Sequence, residues 1–141
     1  MIAVDTNLLI YAHRTTTPEH AAALSAIEQL CSAAQCAVCL PSIGEFWSIV
    51  TNAQLAHPAS TSGQAKEFLV NLFNAGVQLW LPTQKFEERL IGLAKELKVV
   101  AAHIFDLQIG LIALENGARE LWTHDKNFTK IPGLRLHDPL A

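Results

Sequence analysis

The sequence is poor in charged residues, and its small net charge is acidic. Asp, Glu, Lys and Arg make up 16% of the 141 residues, and the formal net charge is −3. A protein that holds nucleic acid by non-specific phosphate contacts is usually basic. Any nucleic acid must therefore be held locally, by metal ions or by a small basic patch. Half of the residues are apolar, which predicts a compact core and some apolar surface left for a subunit or partner interface.

The sequence contains only three cysteines, which is an odd number. The three residues, Cys31, Cys36 and Cys39, argue against a disulfide framework. Cys36 and Cys39 form a C-x-x-C pair, a spacing that also occurs in zinc and redox sites. Their segment is typical of a buried strand, however, and strand residues three apart point to opposite faces. No second pair or histidine at ligand spacing completes a site, so we interpret these cysteines as core residues.

Long apolar runs and glycine-rich phosphate loops are also missing. No apolar stretch approaches the length of a membrane span, and the N-terminal segment lacks the regions of a signal peptide, so we expect a cytoplasmic protein. Neither G-x-G-x-x-G nor G-x-x-x-x-G-K-S/T occurs, which argues against the common nucleotide-binding modules. Without repeats or linkers, we expect one domain spanning residues 1–141.

Short apolar runs alternate with amphipathic segments along the chain. We predict strands at 2–5, 36–40, 77–81 and 120–123, with 134–137 as a candidate fifth strand. We predict helices from about Asn7, at 17–34, from Ser42, and at 61–75, 83–98 and 106–116. Such alternation predicts an α/β/α sandwich with a central, mainly parallel sheet of four to five strands.

Four acidic residues fall where this fold brings strand ends together. Asp5 ends the first strand, and Asp125 lies two residues beyond the fourth. Glu45 is predicted in the first turn of the helix after the second strand, and Asp106 opens the helix that leads to the fourth. Because the carboxyl ends of parallel strands share one edge, we expect Asp5, Glu45 and Asp125 there. Asp106 joins them if its helix starts at the same edge.

Each acid also has a purely structural interpretation. Asp5 suits a helix cap, and Glu45 would complete a capping box with Ser42. Asp106 would gain from a helix dipole, and Asp125 fits a turn. Four acids at one edge, however, would repel one another and force a pKa upward. Divalent cations remove that penalty, and a set of oxygen ligands favours Mg²⁺ or Mn²⁺ over zinc.

Four short motifs surround these acids. They are Val4-Asp5-Thr6-Asn7 before an apolar helix, Glu45 after Pro41-Ser42, His103-Ile-Phe-Asp106 before Leu111-Ile-Ala-Leu, and Leu121-Trp-Thr-His-Asp125-Lys-Asn-Phe128 before Ile131-Pro-Gly-Leu134. In this order and at these spacings, the motifs resemble those of the PIN-domain family over nearly the whole chain. The compact length further resembles the VapC toxins, the ribonucleases of bacterial type II toxin–antitoxin pairs.

The resemblance implies a Mg²⁺-dependent endoribonuclease in which Mn²⁺ can substitute. The four acids would be catalytic and would hold one or two metal ions, with Asp5 and Asp106 as the firmest ligands. Asn7 and Thr123 match positions that support such a cluster by hydrogen bonds. Water would attack the RNA phosphate in line and the 3′ oxygen would leave, which gives 5′-phosphate and 3′-hydroxyl ends. The RNA target stays open.

Basic residues near the acids are candidate contacts to RNA phosphates. They are Arg14, Lys126, Lys130 and Arg135, and ordinary surface charge explains them equally well. His103, one helical turn before Asp106, is a further candidate for substrate binding, although we favour a structural role.

The resemblance also implies a cognate antitoxin as partner. The segments 43–50 and 68–73 are apolar nearly all the way round a helix, so we expect a homodimer that uses part of one of them. We expect an antitoxin segment to lie near Phe46 and Trp47 and to send an arginine or lysine toward Asp5 and Asp106.

Other functions stay open. A housekeeping PIN nuclease would have the same acids but no antitoxin, and a catalytically silent PIN scaffold would lack some of the four. A receiver-like signalling module also has an acidic edge, but it needs an aspartate after the middle strand. This chain has Leu79-Trp-Leu-Pro82 there, so the receiver is the weaker alternative.

Overall fold

The computed structural model describes all 141 residues and places a single five-stranded sheet among six helices. The elements are β1 (Ile2–Val4), α1 (Thr6–His13), α2 (His20–Ser32), β2 (Cys36–Cys39), α3 (Leu40–Val50), α4 (Ser62–Asn74), β3 (Gln78–Trp80), α5 (Phe86–Glu96), α6 (His103–Glu115), β4 (Glu120–Trp122) and β5 (Leu136–His137). All pairings are parallel, in the order β3-β2-β1-β4-β5, which confirms the predicted fold class. None of the helices has the length and apolar character needed to cross a membrane.

The sheet separates two apolar cores because successive strand residues point to opposite faces. On β1, Ile2 and Val4 pack against α1 to α4, whereas Ala3 belongs to the core under α5 and α6. On β2, Cys36 faces the first core and Cys39 the second. Both thiols are free and buried, which confirms their interpretation as core residues.

Three predicted helix starts were wrong. Helix α2 begins at His20, three residues later than predicted. Helix α5 begins at Phe86, because Lys85 before it has a left-handed backbone conformation with φ of 61°. Helix α6 begins at His103 and not at Asp106, so Asp106 lies within its first turn. The carboxylate of Asp106 still lies at the N-terminal end of α6.

The start of α3 also differs from the prediction. This helix follows β2 directly, so Glu45 lies in its second turn, and the proposed capping box between Ser42 and Glu45 is wrong. Ser42 is buried instead, and its hydroxyl accepts a hydrogen bond of 3.0 Å from the hydroxyl of Thr6. In α4 the predicted capping box is confirmed, with reciprocal hydrogen bonds between Thr61 and Gln64.

The apolar surface of α3 is buried unevenly. Phe46 is wholly buried and stacks on Phe68 with ring centroids 5.0 Å apart. The expectation of an antitoxin segment near Phe46 and Trp47 is therefore wrong for Phe46, which belongs to the core. Trp47 on the same helix is 36% exposed, so this part of the expectation stays a prediction.

Candidate active site

The sheet edge between β1 and β4 brings Asp5 and Thr123 together. The strand order reverses between these two strands, which is where open α/β sheets bind ligands. The backbone N–H of Asp5 donates to the carbonyl of Trp122 (2.9 Å). The hydroxyl of Thr123 donates to Oδ2 of Asp5 (2.7 Å). The ends of both strands therefore fix the position of the Asp5 carboxylate.

Asp5 is a buried carboxylate with a perturbed pKa. It caps α1, because its Oδ1 accepts from the backbone N–H of Thr6 at 2.7 Å, and only 5% of the residue is exposed. Burial is the main cause that raises the pKa of Asp5 from 3.8 to about 7. The negative charges of Glu45 and Asp106 raise it further, and the hydrogen bonds from Thr123 and Thr6 act in the opposite direction. Asp5 therefore has a structural role and also lies within the field of two other acids.

Thr123 is the centre of the hydrogen bonds around this carboxylate. A hydroxyl has one proton, and donating it to Asp5 leaves Thr123 Oγ1 able only to accept. It accepts from the backbone N–H of Asp125 (3.1 Å) and lies 3.5 Å from the amide nitrogen of Asn7. The amide oxygen of Asn7 is buried and has no hydrogen-bond partner. Thr123 therefore bonds directly to the carboxylate of Asp5, whereas Asn7 reaches it only through Thr123 and keeps its amide oxygen without a partner.

Asp106 and Asp125 form the other half of the acidic group. Burial first, and then the charge of Asp125, raise the pKa of Asp106, whereas the backbone N–H of Thr129 and the nearby His103 lower it. Asp125 is exposed, and its Oδ1 accepts from the backbone N–H of Asn127 at 2.8 Å, which closes the predicted turn. The charge of Asp125 acts on Asp106, and the charges of Asp106 and Glu45 act on Asp5. All four predicted acids are therefore linked electrostatically.

The acids are not arranged as a closed metal site. No three His, Cys, Asp or Glu side chains are close enough together to hold a metal ion as they stand. The available donors still fit a hard divalent cation, because they are four carboxylates and the unpartnered amide oxygen of Asn7. A cation among them would offset the repulsion that contributes to the raised pKa of Asp5.

The predicted RNA contacts fall into two groups. His103 lies 3.6 Å from the carboxylate of Asp106, and Lys126 is exposed in the loop that follows the fourth acid. Arg14 follows the opposite end of α1, about 13 Å along the helix axis from Asp5. Lys130 lines a separate cleft beside the end of α5. His103 and Lys126 therefore lie beside the acids, and the backbone next to Lys130 reaches them too, because Thr129 bonds to Asp106.

Two side-chain pairs near the site were missed from the sequence. Thr6 and Ser42 join the starts of α1 and α3 through their hydroxyls, and a hydroxyl at both helix starts was the available signal. His124 Nδ1 lies 2.9 Å from Asp138, beyond the last strand. No sequence pattern marks Asp138 as its partner.

Known protein families and sequences give an independent comparison. The family model for the PIN domain matches residues 2–134. Ribonuclease VapC24 of Mycobacterium tuberculosis is 25% identical over 142 residues, which cover 100% of this chain and 98% of that protein. VapC ribonuclease Mb2897 of Mycobacterium bovis is 29% identical over 143 residues, which cover 99% and 96% of the two chains.

Solved structures agree with the fold. VapC20 of Mycobacterium tuberculosis, described as a toxin that cleaves the sarcin–ricin loop, superposes with a TM-score of 0.70 at 15% identity and covers 91% of this chain and 92% of its own. A toxin–antitoxin complex from Klebsiella pneumoniae gives a TM-score of 0.64 at 25% identity, with 99% and 98% covered. Because the family model spans nearly all of the sequence and the architecture agrees, this chain belongs to the PIN-domain family.

Proposed function

We propose that the protein is a divalent-metal-dependent endoribonuclease whose catalytic residues are Asp5, Glu45, Asp106 and Asp125. The observation that carries the proposal is the buried carboxylate of Asp5, whose pKa is raised to about 7 beside two further acids. We also propose that residues 1–141 form one domain, since both cores pack on the same sheet.

Stability alone does not explain a carboxylate at position 5. A helix cap contributes ~1 kcal/mol, and Ser, Thr or Asn supplies it without a charge. Raising the pKa of Asp5 from 3.8 to about 7 costs about 4 kcal/mol for the ionised form, at ~1.4 kcal/mol per pKa unit. Burial therefore works against the charged form of Asp5, and the cap alone gives no reason for a charge. A function that needs the negative charge accounts for the residue.

The proposed chemistry is hydrolysis of an RNA phosphodiester. The four acids would hold one or two Mg²⁺ or Mn²⁺ ions, which when bound neutralise phosphate charge and lower the pKa of a water molecule. Thr123 keeps the Asp5 carboxylate in one orientation by donating to Oδ2 while the backbone of Thr6 donates to Oδ1. Water attacks in line and the 3′ oxygen leaves, so the products carry 5′-phosphate and 3′-hydroxyl ends.

RNA is the favoured substrate because the curated relatives VapC24 and Mb2897 are named as ribonucleases. The low net charge fits recognition through a compact site rather than through a basic surface. Incubation of the purified protein with RNA in Mg²⁺, and then in EDTA, tests this directly. We expect cleavage only with the metal and products that a 5′-phosphate-dependent exonuclease digests. Cleavage that persists in EDTA, or 2′,3′-cyclic phosphate ends, would contradict the proposal.

We further propose that the protein is the toxin of a type II toxin–antitoxin pair. Structures similar to this chain include the complex from Klebsiella pneumoniae and a VapBC2 complex from Rickettsia felis (TM-score 0.70, 20% identity, 98% of each chain covered). The proposed antitoxin segment lies near Trp47 and sends an arginine or lysine toward Asp5 and Asp106. The partly exposed apolar side chains of Leu40 and Trp47 on α3 support such a contact.

Expression of the chain alone in bacteria distinguishes a toxin from a housekeeping nuclease. We expect growth arrest with the wild-type protein and normal growth with Asp5→Asn at equal soluble levels. Unimpeded growth alongside high levels of active, soluble wild-type enzyme would favour the housekeeping alternative. A short adjacent reading frame that encodes a DNA-binding protein is the expected source of the antitoxin.

A further inference from the structure

An open cleft of about 400 Å³ lies between α3 and α6, directly beside the acids. Its lining residues are Pro41, Glu45, Ser48, Ile49, Phe105 and Gln108. Glu45 lines this cleft. It also belongs to the group of four acids, because its negative charge raises the pKa of Asp5. The cleft therefore shares Glu45 with the proposed site of phosphodiester cleavage.

The most unusual member of the lining is Phe105, which precedes Asp106 in α6. Half of this residue is exposed, although large aromatic side chains are normally well buried. Its ring contributes little to the core on that side of the sheet, whose buried members come from the following residues of α6, such as Leu107 and Ile109. Core packing therefore does not explain an aromatic side chain at this position.

The polar lining restricts what the cleft can hold. Glu45 is its only ionisable residue, and no lysine or arginine lines it, so a phosphate group would be repelled. Ser48 and Gln108 offer a hydroxyl and an amide, each able to donate and accept hydrogen bonds. A flat, uncharged group with donors and acceptors on its edge suits this combination of an aromatic ring and neutral polar side chains.

We propose that the cleft binds one base of the RNA next to the cleaved bond, stacked on Phe105 with its edge toward Ser48 and Gln108. This inference rests on the proposed ribonuclease function, because a phosphate at the acids brings a neighbouring base to the cleft. Proteins recognise single-stranded RNA largely by stacking splayed bases on aromatic side chains. Phe105 is thus a residue that positions the substrate, and Ser48 and Gln108 offer hydrogen bonds to the edge of the base.

The test uses a short single-stranded RNA whose cleaved bond has been mapped, together with copies that carry one abasic nucleotide at each position flanking that bond. The proteins are the wild type, Phe105→Ala, Phe105→Tyr and the control Ile91→Ala. Ile91 is 69% exposed on α5 and does not line the cleft, so its substitution removes a similarly exposed apolar side chain elsewhere.

Loss of one base–aromatic stack should lower kcat/KM for Phe105→Ala on the order of ten-fold. Phe105→Tyr keeps the aromatic face and should recover most of the kcat/KM that Phe105→Ala loses. Ile91→Ala, outside the cleft, should keep wild-type kcat/KM. In the wild type, an abasic nucleotide at one flanking position should cause a similar loss. The same abasic nucleotide should have no further effect in Phe105→Ala, because the two changes remove the same contact.

Wild-type kcat/KM in Phe105→Ala would overturn the base site. The base site would also be overturned if Phe105→Ala and an abasic nucleotide at any flanking position lowered kcat/KM independently, so that the two losses multiply. If Phe105→Ala then also lowered the molecular mass measured by light scattering, Phe105 would belong to a contact between two copies of the chain. If the wild-type protein cleaves no RNA in Mg²⁺, the ribonuclease proposal itself fails, and the base site fails with it.

Discussion

Replacing Asp5 with asparagine should make the metal-free protein more stable at neutral pH, although it removes a buried hydrogen-bonded group. The pKa of Asp5 is about 7 in the folded protein and near its ordinary value of 3.8 in the unfolded chain. At a pH between these two pKa values, Asp5 keeps its proton in the folded state and has lost it in the unfolded state. The free energy of unfolding of the wild type therefore falls as pH rises from about 4 to about 7 and levels off above that.

The size of the effect follows from the pKa values. The full contribution is about 4 kcal/mol, at ~1.4 kcal/mol per pKa unit. In Asp5→Asn the new side chain would still accept one hydrogen bond, but its amide hydrogens would face the hydroxyl of Thr123, which costs some stability at every pH. Following the difference in unfolding free energy between the two proteins as a function of pH separates this constant cost from the titration. Between pH 4 and pH 8 that difference should shift in favour of Asp5→Asn by about 4 kcal/mol.

Urea unfolding followed by tryptophan fluorescence, in EDTA and at several pH values, measures this difference. Groups far from Asp5 titrate alike in the two proteins and cancel, whereas the coupling between Asp5 and Asp106 stays in the measured difference. Adding Mg²⁺ at pH 8 should stabilise the wild type more than Asp5→Asn, because the variant has lost a charged ligand. A difference in unfolding free energy that is independent of pH would refute the account of Asp5 as a carboxylate held against its ionisation.

Three further predictions concern packing, hydrogen bonding and assembly. Gly110→Ala places a Cβ against the side chains of Ile131 and Leu134, and it should destabilise the protein by about 1–3 kcal/mol in urea unfolding. Thr123→Val removes a hydrogen bond that lowers the pKa of Asp5, so the pH at which the unfolding free energy levels off should move upward. Light scattering at tens of micromolar should show the predicted homodimer, and a monomer there would contradict it.

The architecture was largely predictable because it depends on repeated local patterns. The alternation of short apolar strands with helices predicted the parallel sheet. The rule that parallel strands end at one edge predicted that Asp5 and Asp125 lie near each other. Helix starts were less predictable where the residue before the helix has no side chain that caps it by a hydrogen bond. Ala102 precedes α6 and Cys39 precedes α3, and neither makes a capping side-chain hydrogen bond. Both helices therefore begin earlier than their sequences indicated.

Contacts between distant segments could not be read from the sequence. Thr6 and Ser42 are 36 residues apart, and their hydrogen bond exists only because α1 and α3 start side by side at the sheet edge. The burial of Phe46 has a similar cause. Helix α3 packs against α1, α4 and α6, so several sides of it are covered. An apolar pattern all round a helix shows that it is buried but not which neighbour buries which residue.

The central claim is that four acids form a metal-dependent ribonuclease site, and the rate of RNA cleavage in Mg²⁺ tests it most directly. The proteins to compare are Asp5→Asn, Glu45→Gln, Asp106→Asn, Asp125→Asn and the control Glu96→Gln, an exposed residue on α5. With folding verified for each, we expect the four site variants to lose activity on the order of a hundred-fold or more and the control to keep it. Undiminished cleavage by Asp5→Asn and Asp106→Asn would contradict the account.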